Sequence, residues 1–249
     1  MTPAAITFDF WATLCQDAPE NVAPGQAMRV RGVAAALARA GHAFSPDVVD
    51  DACHRGLAGM QAQYWSRNID VPADVQVGVV LDCLEPGLAA ALPAPVLADA
   101  VRGYVAPLDR FPPVLLPGAG DAVRALAARG VPLAIISNTG RTPGVVLRRA
   151  LERYGLLACF QVTTYSDEAG VRKPAREIFE RTLAALGVPP AKALHIGDDA
   201  TSDIQGARAL GMRTAHYVAS HDTRAARPAS PDADLIVEDL SKLATRLFC

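Results

Sequence analysis

The sequence predicts an α/β fold, a doubly wound parallel sheet with an all-helical insertion after its first strand. Three observations predict it. Short apolar, β-branched runs recur along the chain, and several stop at a polar or acidic residue, as a buried parallel strand does when it carries a functional side chain at its C-terminal end. From residue 117 onward these runs alternate with amphipathic helical stretches. Between residues 16 and 112 the periodicity is helical throughout, with no convincing strand.

The first strand is read at 4–9, ending on Asp9. Residues 25–41 then place Ala27, Val30, Val33, Ala34 and Leu37 at helical spacing. Ser45 before Pro46 has the form of an N-cap followed by proline at the first helical position. Two further helical patterns, at 73–84 and 94–105, are separated by proline-rich turns, and Pro107 with Phe111, Pro112 and Pro113 makes the return linker. The second strand is read at 131–137, after a helix at 119–129. Later strands are read at 160–164, 193–197, 213–218 and 234–237. A helix at 175–186 is stopped by Gly187. The division expected is a core of residues 1–15 and 113–249 and a helical cap of residues 16–112.

Composition excludes several classes. With 51% hydrophobic and 20% charged residues, the chain can bury a sizeable core and is no disordered tail. The formal net charge of −2 has no basic stripe behind it, so a nucleic-acid partner is not expected. No run approaches the length of a membrane span, and the N-terminus lacks a basic leader, so a cytoplasmic location is expected. Cys15, Cys53, Cys83, Cys159 and Cys249 form no C-x-x-C pair and read as small buried hydrophobes. Lysine occurs only at Lys173, Lys192 and Lys242.

Four groups stand at strand ends: Asp9; Ser137 with Asn138; Lys173; and Gly197, Asp198 and Asp199 followed by Asp203. Singly, each has an ordinary reading as a loop cap, a helix N-cap or a surface charge. Together, converging on one crevice, they supply a carboxylate nucleophile, a hydroxyl and an ammonium for anionic oxygens, and carboxylates for a hard cation. Mg²⁺ suits a donor set made only of oxygen.

These segments, ITFDFWATL, IISN, GVRKP and HIGDDATSDIQGARALG, resemble the motifs of the haloacid dehalogenase superfamily of hydrolases. The resemblance implies an α/β hydrolase core with a helical cap, a small anionic substrate and a Mg²⁺ cofactor. It implies that Asp9 is the nucleophile and that Lys173 and Ser137 act with it in catalysis, that Thr13 steadies the nucleophile's loop, and that Thr13, Ser137, Asn138 and Lys173 bind the substrate. The implied metal ligands are Asp9, the Trp11 backbone carbonyl and Asp198, with Asp199 and Asp203 behind them.

One position departs from the phosphatase pattern. Where phosphatases of the family carry a second aspartate as general acid, this chain has Trp11. An aromatic there resembles the dehalogenase branch, which lacks the Gly-Asp-Asp form of the last motif and needs no metal. A branch that cleaves carbon–phosphorus bonds uses a cap lysine, and residues 16–112 contain none. The leading expectation is a Mg²⁺-dependent phosphatase working through an Asp9 aspartyl-phosphate. A 2-haloacid dehalogenase with an Asp9 ester and a non-catalytic anion-binding protein are the alternatives. Trp11 reads as a packing or pocket-wall aromatic, and Tyr64 and Trp65 as core or pocket lining. His42 and His54 are minor catalytic candidates, Arg141 and Arg172 read as anion binders or, more ordinarily, as solvated charges, and His195 reads as a packed strand residue.

Overall fold

The computed structural model describes residues 2–218 and 228–248. In chain order the strands are β1 (Ala5–Phe8), β2 (Cys15–Gln16), β3 (Val114–Leu115), β4 (Leu133–Ser137), β5 (Val162–Tyr165), β6 (Ala193–Gly197), β7 (Arg213–Tyr217) and β8 (Leu235–Val237). Six of them form one parallel sheet in the order β5-β4-β1-β6-β7-β8. Strand β1 lies between β4 and β6, where the winding reverses, so its C-terminal end opens on the crevice in which ligands bind in such sheets. Phe8 is in register with both Ile135 and Ile196. Asp9, Ser137 and Gly197 therefore reach the same edge of the sheet.

The helices of the insertion are α1 (Pro19–Arg39), α2 (Pro46–Gln63), α3 (Ala73–Leu84), α4 (Leu88–Ala91), α5 (Ala94–Val105) and α6 (Pro107–Arg110). Helices α3 and α5 have the bounds expected from their periodicity. Helix α1 begins six residues earlier than residue 25, and Pro24 and Gly25 lie inside it. Ser45 stands at the N-cap of α2 with extended backbone, but its hydroxyl makes no capping bond. The insertion has its own core, with Val33, Leu37, Val49, Val77, Leu81 and Ala100 buried together. Helices α1 and α5 approach closely at Gly32 and Gly103: a Cβ on Gly103 would lie 2.5 Å from the Gly32 carbonyl carbon, so only glycine fits.

The chain enters and leaves this insertion through a two-residue antiparallel ribbon, Cys15 opposite Leu115 and Gln16 opposite Val114. So short a pairing leaves no periodic trace in sequence. The remaining helices are α7 (Ala119–Ala127), α8 (Gly144–Arg153), α9 (Ser166–Ala169), α10 (Arg176–Leu186), α11 (Gly206–Ala209) and α12 (Leu243–Phe248). They cover the sheet over two clusters, one around Phe8, Leu126, Ile135 and Leu151, the other around Ile136, Phe179 and Leu183. Cys15, Cys53, Cys83 and Cys159 are unbridged thiols, while Cys249 lies outside the described residues. No described helix is long and apolar enough to cross a membrane.

Candidate active site

Beyond the C-terminal ends of β1, β4 and β6 lies a cleft of about 290 Å³ lined by Asp9, Trp11, Ala12, Asn138, Arg172, Lys173, Asp198, Asp199, Ser202 and Asp203. Asp9 leaves β1 with its N–H bonded to the Ile196 carbonyl (2.8 Å), which ties it to the neighbouring strand. The chain then reverses sharply. Ala12 adopts a left-handed φ of 56°, and Leu14 and Cys15 both donate to the Phe10 carbonyl at 2.9 Å. A non-glycine residue there carries about 1–2 kcal/mol of strain, and the turn leaves Trp11 on the cleft wall, edge-on to Phe10 at 5.2 Å.

Lys173 is the centre of the charge arrangement. It is 4% exposed, and its Nζ donates to Asp9 Oδ1 (2.6 Å) and Asp203 Oδ1 (2.5 Å). Lys192 and Lys242 lie elsewhere on the surface. Asn138 fixes the Lys173 main chain from both sides, donating from Nδ2 to its carbonyl (3.0 Å) and accepting its N–H at Oδ1 (2.8 Å).

Asp203 is fully engaged. Its Oδ1 also accepts from His195 Nε2 (3.0 Å), and its Oδ2 accepts the Asp199 N–H (3.0 Å). Gly197 is obligatory beneath it, since a Cβ there would lie 2.2 Å from Asp203 Cγ. Asp199 caps the π-helical turn Ala200–Gln205, accepting the Thr201 and Ser202 N–H groups at 3.1 and 2.7 Å. Carboxylate oxygens of Asp9, Asp198 and Asp203 can lie within 4.8 Å of one another, an arrangement able to hold a cation.

Burial penalises charge on all these groups, and their neighbours decide each outcome. Burial raises the Asp9 pKa to about 6; Lys173 pulls it down while Asp203 pushes it further up. Burial also opposes the charge on Asp203, but Lys173 and His195 outweigh it and hold that carboxyl well below the usual range. Lys173 stays protonated because Asp203 and Asp9 overcome its burial. Burial lowers the His195 pKa, so the ring is neutral, with its proton on Nε2 facing Asp203 and Nδ1 accepting from Thr7 Oγ1 at 2.8 Å.

Thr13 and Ser137 are both completely buried, and neither hydroxyl has a hydrogen-bond partner among the described residues. Thr13 therefore does not steady its loop by a hydroxyl bond here. Two histidines have roles their sequence context did not disclose. His195 is packed edge-on against Phe179, as expected of a strand residue, yet it also braces Asp203. His216 accepts the Ser230 N–H at Nδ1 (2.9 Å), so its Nε2 carries the proton and donates to the Asp198 carbonyl at 2.9 Å. His54 and His42 do not line the cleft; His54 is exposed on α2 and bonds back to Asp50.

Arg172 corrects an expectation. It is not a solvated arginine: its side chain is 15% exposed, lies over the Trp65 ring at 4.6 Å, and pairs with Asp70 at 2.8 Å. Asp70, a buried insertion residue that sequence reading passed over, also accepts from Ser166 Oγ (2.5 Å) and Trp65 Nε1 (3.0 Å). Main-chain bonds from Asp70 N to Gly170 O and from Arg172 N to Asn68 O complete this clamp beside Lys173.

Residues 3–211 match the haloacid dehalogenase-like hydrolase family. The chain belongs to the haloacid dehalogenase-like hydrolases. As a member of that family it is an enzyme, a hydrolase. A phosphoserine phosphatase of Thermus thermophilus is 30% identical over 198 residues, covering 76% of this chain and 74% of that protein. Haloacid dehalogenase-like hydrolase domain-containing protein 3 of Xenopus laevis is 39% identical over 101 residues, 40% of this chain and 39% of that protein. A ribulose-1,5-bisphosphate 5-phosphatase of Halopiger xanaduensis is 34% identical over 115 residues, covering 46% and 47%. The chain thus spans less than half the length of these last two relatives. Among solved structures, a 2-haloacid dehalogenase from Pseudomonas syringae (TM-score 0.68, 99% and 98% covered) and a phosphatase from Thermococcus onnurineus (0.67, 98% and 97%) are each 21% identical. The fold serves both chemistries equally, so the choice between them rests on the site.

Proposed function

We propose that this hydrolase is a Mg²⁺-dependent phosphatase acting on a small phosphorylated molecule, with residues 16–112 as a cap over the core. The observation that carries the reading is the buried pair of Asp9 and Lys173 beside Asp198 and Asp203. One lysine does not balance this group of carboxylates, and a hard divalent cation would. The donor set fits Mg²⁺, since every available ligand atom is oxygen. Asp9, Asp198 and the Trp11 carbonyl would hold it. Asp203 is less suited to ligation because both its oxygens already accept hydrogen bonds. When bound, the cation supplies charge neutralisation and orientation of the phosphoryl oxygens.

In this reading one Asp9 oxygen attacks phosphorus in line. An oxygen–phosphorus bond forms, the bond to the leaving oxygen breaks, and an aspartyl-phosphate results. Lys173 orients Asp9 and offsets charge on the transferring group. Asp203 and His195 keep the Lys173 ammonium in place, and Asn138 fixes its backbone. The Ser137 and Thr13 hydroxyls, buried without partners, are donors in reserve for phosphoryl oxygens. Water then attacks phosphorus and releases phosphate, restoring Asp9.

The Thermus phosphatase relative supports this choice. Trp11 on the cleft wall favours the second reading, dehalogenation, because it provides no acid for an alcohol leaving group. A screen of phosphate esters and 2-haloacids, with and without Mg²⁺, separates the two. Mg²⁺-dependent phosphate release is expected; metal-independent halide release would replace this reading with the second.

A further inference from the structure

Two arginines meet at the seam between insertion and sheet. Arg29 of α1 is 6% exposed; its Nε donates to the Tyr104 carbonyl (3.0 Å), and its guanidinium lies over the Tyr104 ring at 4.9 Å. Its Nη1 donates to Gln26 Oε1 at 2.9 Å, and Arg141 Nη1, from the loop after β4, approaches the same oxygen at 3.3 Å. Asp50 accepts from Gln26 Nε2 (2.8 Å), which fixes the amide with its oxygen toward the arginines. Two guanidinium groups thus share one neutral acceptor, and neither has a carboxylate within ion-pair distance among the described residues. Burial and the nearby Arg141 charge lower the Arg29 pKa, and Tyr104, Cys53 and the more distant Asp17 carboxylate pull the other way without cancelling them.

Like charges held together in a poorly hydrated place are costly unless an anion joins them. Each guanidinium offers five donors in a planar fork that matches a carboxylate or phosphate, and most of those donors are unused here. Neither arginine is among the residues that line the cleft, but each lies on a segment that leaves it. Arg141 follows Asn138 in one loop, and α1 follows the turn that carries Trp11 and Ala12; Asn138, Trp11 and Ala12 all line the cleft. The cations within the cleft are already committed, Lys173 to Asp9 and Asp203, and Arg172 to Asp70.

We propose that Arg29 and Arg141 form an oxyanion subsite for a second, non-reacting anionic group of the substrate, a carboxylate or a second phosphate. The substrate class is then a doubly anionic small molecule, and this assignment rests on the phosphatase reading above. Gln26 positions the pair, and Tyr104 supports Arg29 from below.

The test compares wild type, Arg141→Ala and Arg29→Lys on an aryl monophosphate and on a panel of phosphorylated carboxylic acids and diol bisphosphates, all with Mg²⁺. Arg141 is a half-buried loop residue, and Arg29→Lys keeps the buried charge, so both variants should fold; circular dichroism checks this. The ratio of kcat/KM for doubly anionic over aryl substrates should fall about ten- to a hundredfold, mainly through KM, as loss of a charged hydrogen bond requires. An unchanged ratio, or equal losses on both classes, would overturn the subsite while leaving the phosphatase reading intact. If wild type hydrolyses no phosphate ester, the phosphatase reading fails and binding decides the subsite. Calorimetric titration with inert ω-phosphonocarboxylates should then show binding that weakens in Arg141→Ala; equal binding in both proteins, or none, overturns it.

Discussion

Replacing Asp9 with asparagine should abolish turnover and, in the absence of metal, make the protein more stable at neutral and alkaline pH. The amide keeps the shape of the carboxylate but is a poor nucleophile. Burial, reinforced by Asp203 and opposed by Lys173, raises the Asp9 pKa to about 6. In an unfolded chain the same group titrates near 3.9. The folded state therefore binds a proton that the unfolded state has released between roughly pH 4 and 6. Across that window wild-type stability falls as pH rises, and above it the ionised Asp9 costs about 3 kcal/mol. Asparagine carries no such cost, although it gives Lys173 a weaker acceptor, so the net gain should be about 1–3 kcal/mol. For a chain of this length that is a rise in Tm of roughly 2–10 °C. Thermal unfolding followed by circular dichroism in EDTA, at pH 5 and at pH 8, measures it. The gain at pH 5, midway through the window, should be about half the gain at pH 8. An Asp9→Asn protein less stable than wild type at pH 8 would refute the reasoning, because attraction to Lys173 would then outweigh burial.

Other substitutions separate the parts of the site. Asp198→Ala should abolish Mg²⁺-induced thermal stabilisation, which in wild type grows with metal concentration as binding linkage requires; an unaffected Mg²⁺ response would remove Asp198 from the ligand set. Asp70→Asn should cost about 3–5 kcal/mol in chemical denaturation, since it breaks a buried ion pair and leaves Arg172 uncompensated; a loss under 1 kcal/mol would mean the clamp is slack. Phosphatase activity should favour aryl and acyl over alkyl phosphates, because a missing general acid costs about 10²–10⁴ in rate when the leaving group is a strong base. Trp11→Asp, provided it folds after losing the indole, should raise alkyl-ester turnover more than aryl-ester turnover; an unchanged ratio would place the proton donor elsewhere.

The strand ends were legible in sequence because a parallel sheet is periodic and because chemistry collects at one edge of it. The six sheet strands fall in the apolar runs, and Asp9, Asn138, Lys173, Asp198, Asp199 and Asp203 all line one cleft. Contacts between distant segments left no such trace. Asp70 lies in a short stretch between α2 and α3, and nothing in its neighbours indicates a partner in Arg172, 102 residues away. His195 looked like any alternating strand residue, yet its ring bridges Thr7 and Asp203. The Gly32 and Gly103 contact was likewise invisible, since glycine within a helical pattern ordinarily signals only weakness. Asp199 shows the opposite case: its sequence suggested both a helix cap and an acidic site residue, and it caps the turn while lining the cleft.

The central claim is that this hydrolase cleaves its substrate at phosphorus rather than at carbon, and a single turnover in H₂¹⁸O tests it most directly. Excess Mg²⁺-loaded enzyme is mixed with an aryl phosphate and, separately, with 2-chloropropionate, and the label is followed by mass spectrometry in the product and in the peptide containing Asp9. Water attack on phosphorus places ¹⁸O in the released phosphate and none in Asp9, which is the predicted result. Water attack on an Asp9 ester places ¹⁸O in the Asp9 carboxylate instead. Labelled Asp9 with halide released from 2-chloropropionate, and no phosphate from the aryl ester, would contradict the account.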